Sequence, residues 1–193
     1  MILCDHEIER AIREEKLVVH PPPGSGQYDS SALNLRVGSD FRVWRSALRV
    51  PATKHLVDLD NIDLADLIEL TEPLVPSGDG IVLIEPGAFV LVRTLERVHL
   101  PMTSKLAARV EGRSKQARLG LTAHITAPTI HAGFSGRITL EILNHGPFGL
   151  EVRPDRSMLC QLIVEKVSAI PQRGGSRTFS DQDTPLGTPK RKR

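Results

Sequence analysis

The alternation of apolar and polar positions predicts a chain built mainly from short β-strands. In residues 32–44, Leu33, Leu35 and Val37 alternate with polar residues before a Gly-Ser-Asp turn, which is the period-two spacing of a strand with one buried face. Further strands are predicted at residues 80–101, which hold two of them around Pro86-Gly87, at 136–146 and at 158–167. Short strands separated by Gly and Pro turns are typical of an all-β barrel or jelly roll with little helix.

Helical spacing is limited to short stretches. Residues 6–17 place Ile8, Ala11 and Ile12 on one face, and Asp5 precedes them as the predicted N-cap. Residues 61–70, within a mixed region at 51–78, predict a short helix or an irregular excursion.

The composition changes after Pro171. Residues 171–193 are polar, rich in Gly and Pro and nearly free of large apolar groups, so they cannot build a core. We therefore predict a β-barrel domain at 1–170 and a C-terminal lid or tail at 171–193.

The overall composition suits one compact domain, with two small domains as the alternative. The chain has 193 residues, of which 40% are hydrophobic, so it can bury about 70% of its unfolded surface without a disulfide or a metal. Cys4 and Cys160 belong to no C-x-x-C pair, and we expect free thiols in the reducing cytoplasm. The first ten residues hold charges rather than an apolar segment, and no run reaches 18 apolar residues, which argues against secretion and a membrane span. A net charge of +2 is too small to predict nucleic-acid binding.

Residues 110–142, VEGRSKQARLGLTAHITAPTIHAGFSGRITLEI, concentrate polar and charged groups among predicted core strands. On the strand at 136–146, the alternation places Glu141 on the face opposite the apolar residues. The apolar face consists of Ile138, Leu140 and Ile142, and the other face of Thr139, Glu141 and Leu143.

A hydroxyl and a guanidinium accompany this carboxylate. Ser114 and Arg118 lie four residues apart in GRSKQARLG (112–120), so one helical turn would place them on the same side. Together with Glu141 they supply a carboxylate base, a hydroxyl that can hold a water and a cation that can orient the carboxylate. Taken singly, each residue also fits a solvated strand face or a surface turn.

The order VEGRSKQARLGL, HITAPTIHAGFSGRITLEI and CQLIVE resembles the deoxycytidine triphosphate deaminase family, relatives of the trimeric dUTPases. The resemblance extends to LCDHEIERAI, LNLRVGSDFRVW and LVRTLERVHLP and covers nearly the whole chain. It implies a mainly β fold, a distorted jelly roll or β-barrel of the dUTPase-like type with a short N-terminal helix and few other helices. It also implies a homotrimer with active sites between subunits.

The resemblance assigns roles residue by residue. It makes Glu141 the general base, Ser114 the residue that positions the water, and Arg118 the support of the base. The backbone of Ala127 would face the pyrimidine. The implied nucleotide-binding residues are Arg113, Ser114, Lys115, Gln116, Ala117 and Arg118 at the phosphates, Thr139, Leu140 and Glu141 at the base and sugar, and Ala127, His131, Gln161 and the lid residues Thr178 and Gln182.

The chain departs from the family pattern at several of these positions. His131 stands where many members have an Asp that contacts the sugar, and Lys115 stands where a second Ser is usual. The lid lacks the family's Tyr, and Thr178 stands where a Lys is common. His131 can still bond a 3′-hydroxyl, and Lys115 would offer the phosphates a charged contact.

The resemblance implies hydrolytic deamination of dCTP to dUTP and ammonia, which feeds thymidine nucleotide synthesis, with dTTP as a candidate inhibitor. Zinc-dependent nucleobase deaminases need H-x-E followed by P-C-x-x-C, and the sequence contains neither in usable form. We therefore expect a zinc-independent mechanism, with Mg²⁺ bound mainly by the triphosphate. The alternatives are a dUTP diphosphatase, a bifunctional dCTP deaminase and dUTPase, or a non-catalytic nucleotide-binding regulator.

Overall fold

The computed structural model describes residues 1–46, 56–173 and 184–187. These residues form a mainly β structure with few short helices, which confirms the predicted fold class. The strands are β1 (Val18–His20), β2 (Tyr28–Asp29), β3 (Ala32–Arg36), β4 (Arg42–Trp44), β5 (Thr71–Pro73), β6 (Val82–Ile84), β7 (Phe89–His99), β8 (Leu106–Gly112), β9 (Leu121–Thr122), β10 (Thr129–Ile130), β11 (Ser135–Asn144), β12 (Leu150–Val152) and β13 (Met158–Lys166). The helices are α1 (Asp5–Arg13) and α2 (Ser114–Ala117), with 3₁₀ turns at Ser25–Gln27, Leu64–Leu70 and Met102–Ser104.

Two larger sheets share one apolar core. The first sheet has the order β5-β4-β7-β11-β9, with β1 also paired to β7, and the second has the order β10-β8-β13-β3-β2. Strands β6 and β12 form a separate pair, and the described strands do not close into a continuous hydrogen-bonded barrel. The core unites apolar side chains of both sheets, such as Val92 and Leu140 from the first and Leu35 and Leu162 from the second.

The long strands β7 and β11 form the centre of the first sheet. They pair antiparallel, and the register places Glu141 opposite Leu91 and Thr139 opposite Arg93. Along β11 buried and half-buried residues alternate without interruption, which confirms the two faces predicted from the sequence. The apolar face points into the core, so Glu141 and Thr139 lie on the other face of the sheet.

Helix α1 differs in detail from the prediction. It ends at Arg13 rather than near residue 17, and its N-cap is Cys4 rather than Asp5. The Glu7 carboxylate accepts a hydrogen bond from the Cys4 backbone N–H at 3.3 Å, whereas Asp5 accepts one from its neighbour His6 at 2.7 Å. The predicted Asp5 cap is therefore wrong, because that carboxylate bonds the adjacent residue instead of a donor further along the helix.

From residue 56 onward, the mixed region contains the 3₁₀ turn Leu64–Leu70. This turn corresponds to the short helix, which was one of the two predictions for residues 61–70. The Asp63 carboxylate caps it by accepting from the Ala65 backbone N–H at 3.2 Å. The turn leads into β5 at the edge of the first sheet. Across residues 1–46, 56–173 and 184–187, no helix is long and apolar enough to cross a membrane.

Candidate active site

A cavity of about 580 Å³ lies on the Glu141 face of the first sheet. Its floor comes from β11 and β7, and one side comes from the segment between β9 and β11. The lining residues are Trp44, Leu64, Phe89, Leu91, Val110, His124, Thr126, Ala127, Pro128, Thr129, Ile130, His131, Gly133, Phe134, Arg137, Ile138, Thr139, Glu141, Pro185 and Leu186. This volume falls within the range of roughly 300–1,000 Å³ typical of small-molecule sites.

Glu141 is the one carboxylate among these lining residues. It is half-buried, and burial raises the pKa of Glu141 above its ordinary value of 4.5. Hydrogen bonds from the backbone N–H groups of Glu141 and Ile125, and the nearby His124, act in the opposite direction on that pKa. A carboxylate of raised pKa, held by backbone donors in a cavity, is suited to accept a proton from water and return it later.

The segment that carries Ile125 also carries two unusual residues. The His124 ring lies 3.8 Å from the Glu111 carboxylate through Nε2, and its Nδ1 is buried without a hydrogen-bond partner among the described residues. Ala127 has a φ of 61°, which is a left-handed conformation that is unfavourable for residues with a Cβ atom. Such a backbone persists when its surroundings hold it, and it is frequent at functional sites.

Ser114 and Arg118 have the predicted relation to each other but do not reach the cavity. The Arg118 backbone N–H donates to the Ser114 carbonyl at 3.2 Å, so one helical turn does place the two residues on one side. Both are exposed, and neither lines the cavity that contains Glu141. A single copy of the chain therefore does not bring the three predicted catalytic side chains together.

The neighbours of Ser114 fix this short helix to the second sheet. Arg113 donates from Nη1 to the Met158 carbonyl at 3.2 Å, and Gln116 donates from Nε2 to the same oxygen at 3.2 Å. Lys115 and Ala117 are exposed. Residues 113–118 are thus attached to the second sheet and expose the Ser114 hydroxyl and the charged groups of Lys115 and Arg118.

The remaining predicted residues divide between the cavity and other places. Ala127, His131 and Thr139 line the cavity with Glu141. The Leu140 side chain is completely buried in the core, so only its backbone can face a nucleotide. Gln161 pairs with Glu111 and Asn34 within the second sheet and does not line the cavity. Thr178 and Gln182 lie outside the described residues.

Several cavity residues were not predicted from the sequence. Arg137 shares a strand face with Glu141 at a spacing of four residues, so alternation could have identified it. Trp44, Leu64, Pro185 and Leu186 come from distant parts of the chain, and no local pattern marks them. Within the described residues, three side chains that could together hold a metal occur only at Cys4, Asp5 and His6, which lie at the start of α1 and outside the cavity.

Comparison with known proteins identifies the family of the chain and agrees with its fold. A family model described as dCTP deaminase-like matches residues 2–167, and the chain belongs to that family. The dUMP-forming dCTP deaminase of Methanobrevibacter smithii is 35% identical over 190 residues, which cover 98% of this chain and 87% of that protein. The dCTP deaminase of Aeromonas salmonicida is 38% identical over 159 residues, 80% of this chain and 78% of that protein.

A solved structure shows the same fold. The crystal structure of 2′-deoxycytidine 5′-triphosphate deaminase from Agrobacterium tumefaciens matches with a TM-score of 0.62 and 25% identity. The match covers 86% of this chain and 48% of that one, so the chain spans about half the length of that protein.

Proposed function

We propose that the chain deaminates dCTP to dUTP and ammonia, with Glu141 as the group that moves protons. The observation that carries this proposal is the position of Glu141, a half-buried carboxylate of raised pKa in a cavity large enough for a small ligand. The family membership of the chain and its similarity to proteins named dCTP deaminase support the same reaction.

The proposed chemistry uses water as the nucleophile. Glu141 takes a proton from a water held by Ser114, and the resulting hydroxide adds to C4 of the cytosine. The protonated carboxyl gives this proton to N3 of the ring. Glu141 then takes the proton of the C4 hydroxyl and passes it to the exocyclic amine, so that the C4–N bond breaks, ammonia leaves and the C4–O bond becomes the carbonyl of dUTP. Arg118 keeps Glu141 oriented and ionised. The raised pKa suits Glu141 to both directions of this transfer.

The proposal includes a homotrimer with sites shared between subunits. Ser114 and Arg118 are exposed and lie outside the cavity of their own chain, so in this proposal they serve Glu141 of a neighbouring copy. The 113–118 segment would bind the phosphates, because it presents Lys115 and Arg118 outward. His131, Thr139 and the backbone of Ala127 would contact the sugar and the base.

The proposed reaction needs no zinc, and Mg²⁺ would accompany the triphosphate. Glu141 is the one acidic residue among the described cavity lining, so the lining provides no cluster of carboxylates for a divalent cation. A Mg²⁺ ion bound mainly by phosphate oxygens fits that lining. When bound, it would neutralise phosphate charge. We further propose a cytoplasmic location and a role in supplying thymidine nucleotide synthesis, with residues of the 171–193 tail, Thr178 and Gln182 among them, closing over the nucleotide.

A second candidate is a bifunctional enzyme that also hydrolyses dUTP to dUMP. The 35% identity to a dCTP deaminase named as dUMP-forming, over 98% of this chain, favours it. His131 favours deamination without dUTP hydrolysis. According to the resemblance, the related dUTPases have an Asp at this position, which activates water against the α-phosphorus.

One assay separates these candidates. Ammonia and pyrophosphate release are measured side by side from dCTP and from dUTP, with Glu141→Gln as the control variant. Ammonia from dCTP without pyrophosphate supports the proposed deaminase, and ammonia from dCTP together with pyrophosphate from either nucleotide supports the bifunctional enzyme. Pyrophosphate from dUTP without ammonia from dCTP would support a dUTP diphosphatase and contradict the proposal. Tight dCTP binding without either product would support a non-catalytic nucleotide-binding regulator and contradict the proposal.

A further inference from the structure

A second, smaller cavity lies between α1, the end of β13 and the turn that precedes β8. Its volume is about 260 Å³, and none of its described lining residues also lines the Glu141 cavity. Its lining includes the apolar residues Leu3, Ala11 and Leu106, each at most 6% exposed. The volume is just below the range of roughly 300–1,000 Å³ typical of drug-sized ligands, so the cavity suits a smaller molecule.

Charged side chains complete the lining of this second cavity, and cations are in excess. The cations are Arg10, Lys16, Lys105 and Lys166, and the carboxylates are Glu7 and Glu14. Among the described lining residues, positive charges therefore outnumber negative ones by two, which equals the net charge of +2 of the whole chain. A concave surface with such a local excess of positive charge attracts anions.

Both carboxylates of the second cavity are bound to other lysines than Lys105. Lys166 donates from Nζ to the Glu7 carboxylate at 2.9 Å, and this hydrogen bond lowers the pKa of Glu7 to about 2. Lys16 donates from Nζ to the Glu14 carboxylate at 2.7 Å, which lowers the pKa of Glu14. Within residues 1–46, 56–173 and 184–187, Lys105 forms no ion pair. The ammonium of Lys105 is therefore the cation of this cavity that is open to a ligand.

The backbone holds Lys105 beside the second cavity in an unusual conformation. Lys105 has a φ of 57°, in the left-handed region that is unfavourable for residues with a Cβ atom. Its carbonyl accepts from the Val167 backbone N–H at 2.9 Å, and the Ser104 hydroxyl accepts from the Leu106 backbone N–H at 3.2 Å. These bonds fix the strained residue on both sides, and such strain is frequent where a protein binds a ligand.

We infer that the second cavity is a further ligand site, which binds a small phosphate monoester with Lys105 as its charged contact. A lysine ammonium binds phosphate as a compact point charge. The apolar group of the ester would cover Leu3, Ala11 and Leu106, because these side chains form the apolar part of the lining. This site goes beyond the proposed deamination, since none of its residues takes part in that reaction.

Nuclear magnetic resonance of the full chain locates such a ligand without any turnover. Phenyl phosphate is the probe, because it joins a phosphate to an apolar ring, and inorganic phosphate and benzyl alcohol each retain one of these parts. We expect phenyl phosphate to shift the backbone amide signals of Lys105 and Val167 with a Kd on the order of 1 mM. Each partial probe should bind at least about fivefold more weakly, because it lacks either the apolar burial or the charged contact.

A matched pair of variants tests the role of Lys105. Lys105→Ala should weaken phenyl phosphate binding by about fivefold, and Lys105→Arg, which keeps the charge, should stay within about twofold of the parent. Arg153→Ala is the control, at a half-exposed cation outside both cavities, and should leave the Kd unchanged. The amide spectrum of each variant shows in the same experiment that it is folded.

Three results would overturn the inference. The first is a phenyl phosphate titration that shifts only amides of the Glu141 cavity or none at all, and the second is an equal Kd in Lys105→Ala and the parent. The third is inorganic phosphate binding as tightly as phenyl phosphate, because the apolar lining would then take no part. Since neither dCTP nor turnover enters this test, its outcome is independent of the proposed function.

Discussion

Glu141 lies directly opposite Leu91 in the antiparallel pair of β11 and β7. Side chains at such paired positions share a face of the sheet and have Cβ atoms about 4.5–5.5 Å apart. Leu91 is 4% exposed and lines the cavity with Glu141, so it keeps water from one side of the carboxylate. This relationship gives a physical cause for the raised pKa of Glu141, which is dominated by burial.

The first prediction concerns the pH dependence of turnover. Glu141 must be ionised to accept a proton, so kcat/KM should fall on the acidic side with an apparent pKa above the ordinary 4.5. Leu91→Thr preserves a strand-forming residue but admits water, which lowers the pKa of Glu141 and should move this acidic limb to lower pH. The pH profile of ammonia release from dCTP measures the shift. Leu83→Thr, on β6 and 45% exposed, is the control and should leave the profile unchanged. An acidic limb at the same pH in Leu91→Thr and the parent would refute this explanation of the raised pKa.

A second prediction separates the chemical role of Glu141 from its effect on stability. Glu141→Gln removes the base and should slow deamination by about 10²–10⁴-fold. Because the folded-state pKa is raised, the contribution of Glu141 to stability is full below pH 4.5 and is lost as pH rises through the raised value. At pH 7 the neutral amide should therefore give a melting temperature equal to or above that of the parent, as measured by thermal unfolding. A melting temperature several degrees lower, with activity lost in parallel, would indicate that the variant fails by unfolding.

The sequence predicts the Glu141 face well and its surroundings poorly, for physical reasons. Strand alternation is a local property with a period of two residues, so it correctly separates Glu141 from the core residue Leu140. Helical spacing likewise relates Ser114 to Arg118, but it contains no information about their distance from Glu141. That distance depends on tertiary packing.

Long-range contacts explain the other misses. The hydrogen bond between Thr139 and Pro185 joins residues 46 positions apart, and neither residue stands in a pattern that indicates the other. The Asp5 cap was wrong because candidate cap residues can bond several local donors, and only the backbone geometry selects one.

A third prediction concerns the sugar. His131 lines the cavity where the family resemblance implies an Asp that contacts the 3′-hydroxyl. If the imidazole bonds that hydroxyl, His131→Ala should reduce the preference for dCTP over its 2′,3′-dideoxy analogue by roughly three- to tenfold, as expected for one neutral hydrogen bond. The ratio of kcat/KM for the two nucleotides measures this, and His145→Ala, at an exposed residue outside the cavity, is the matched control. An unchanged ratio in His131→Ala would show that the imidazole does not read the hydroxyl.

The last prediction tests whether active sites are shared between subunits. Ser114 is exposed outside the cavity that contains Glu141 in the same chain, so in the proposed homotrimer a complete site takes one segment from each of two copies. Trimers of Ser114→Ala alone or of Glu141→Gln alone should be nearly inactive. When equal amounts of the two variants are unfolded, mixed and refolded, each interface draws its two segments independently, and about one quarter of the interfaces should be intact. Ammonia release from dCTP should then recover to about one quarter of the parent rate. Mixing the folded variants without unfolding controls for simple addition. If refolded mixtures remained as inactive as the separate variants while light scattering showed normal assembly, each chain would contain its own complete site.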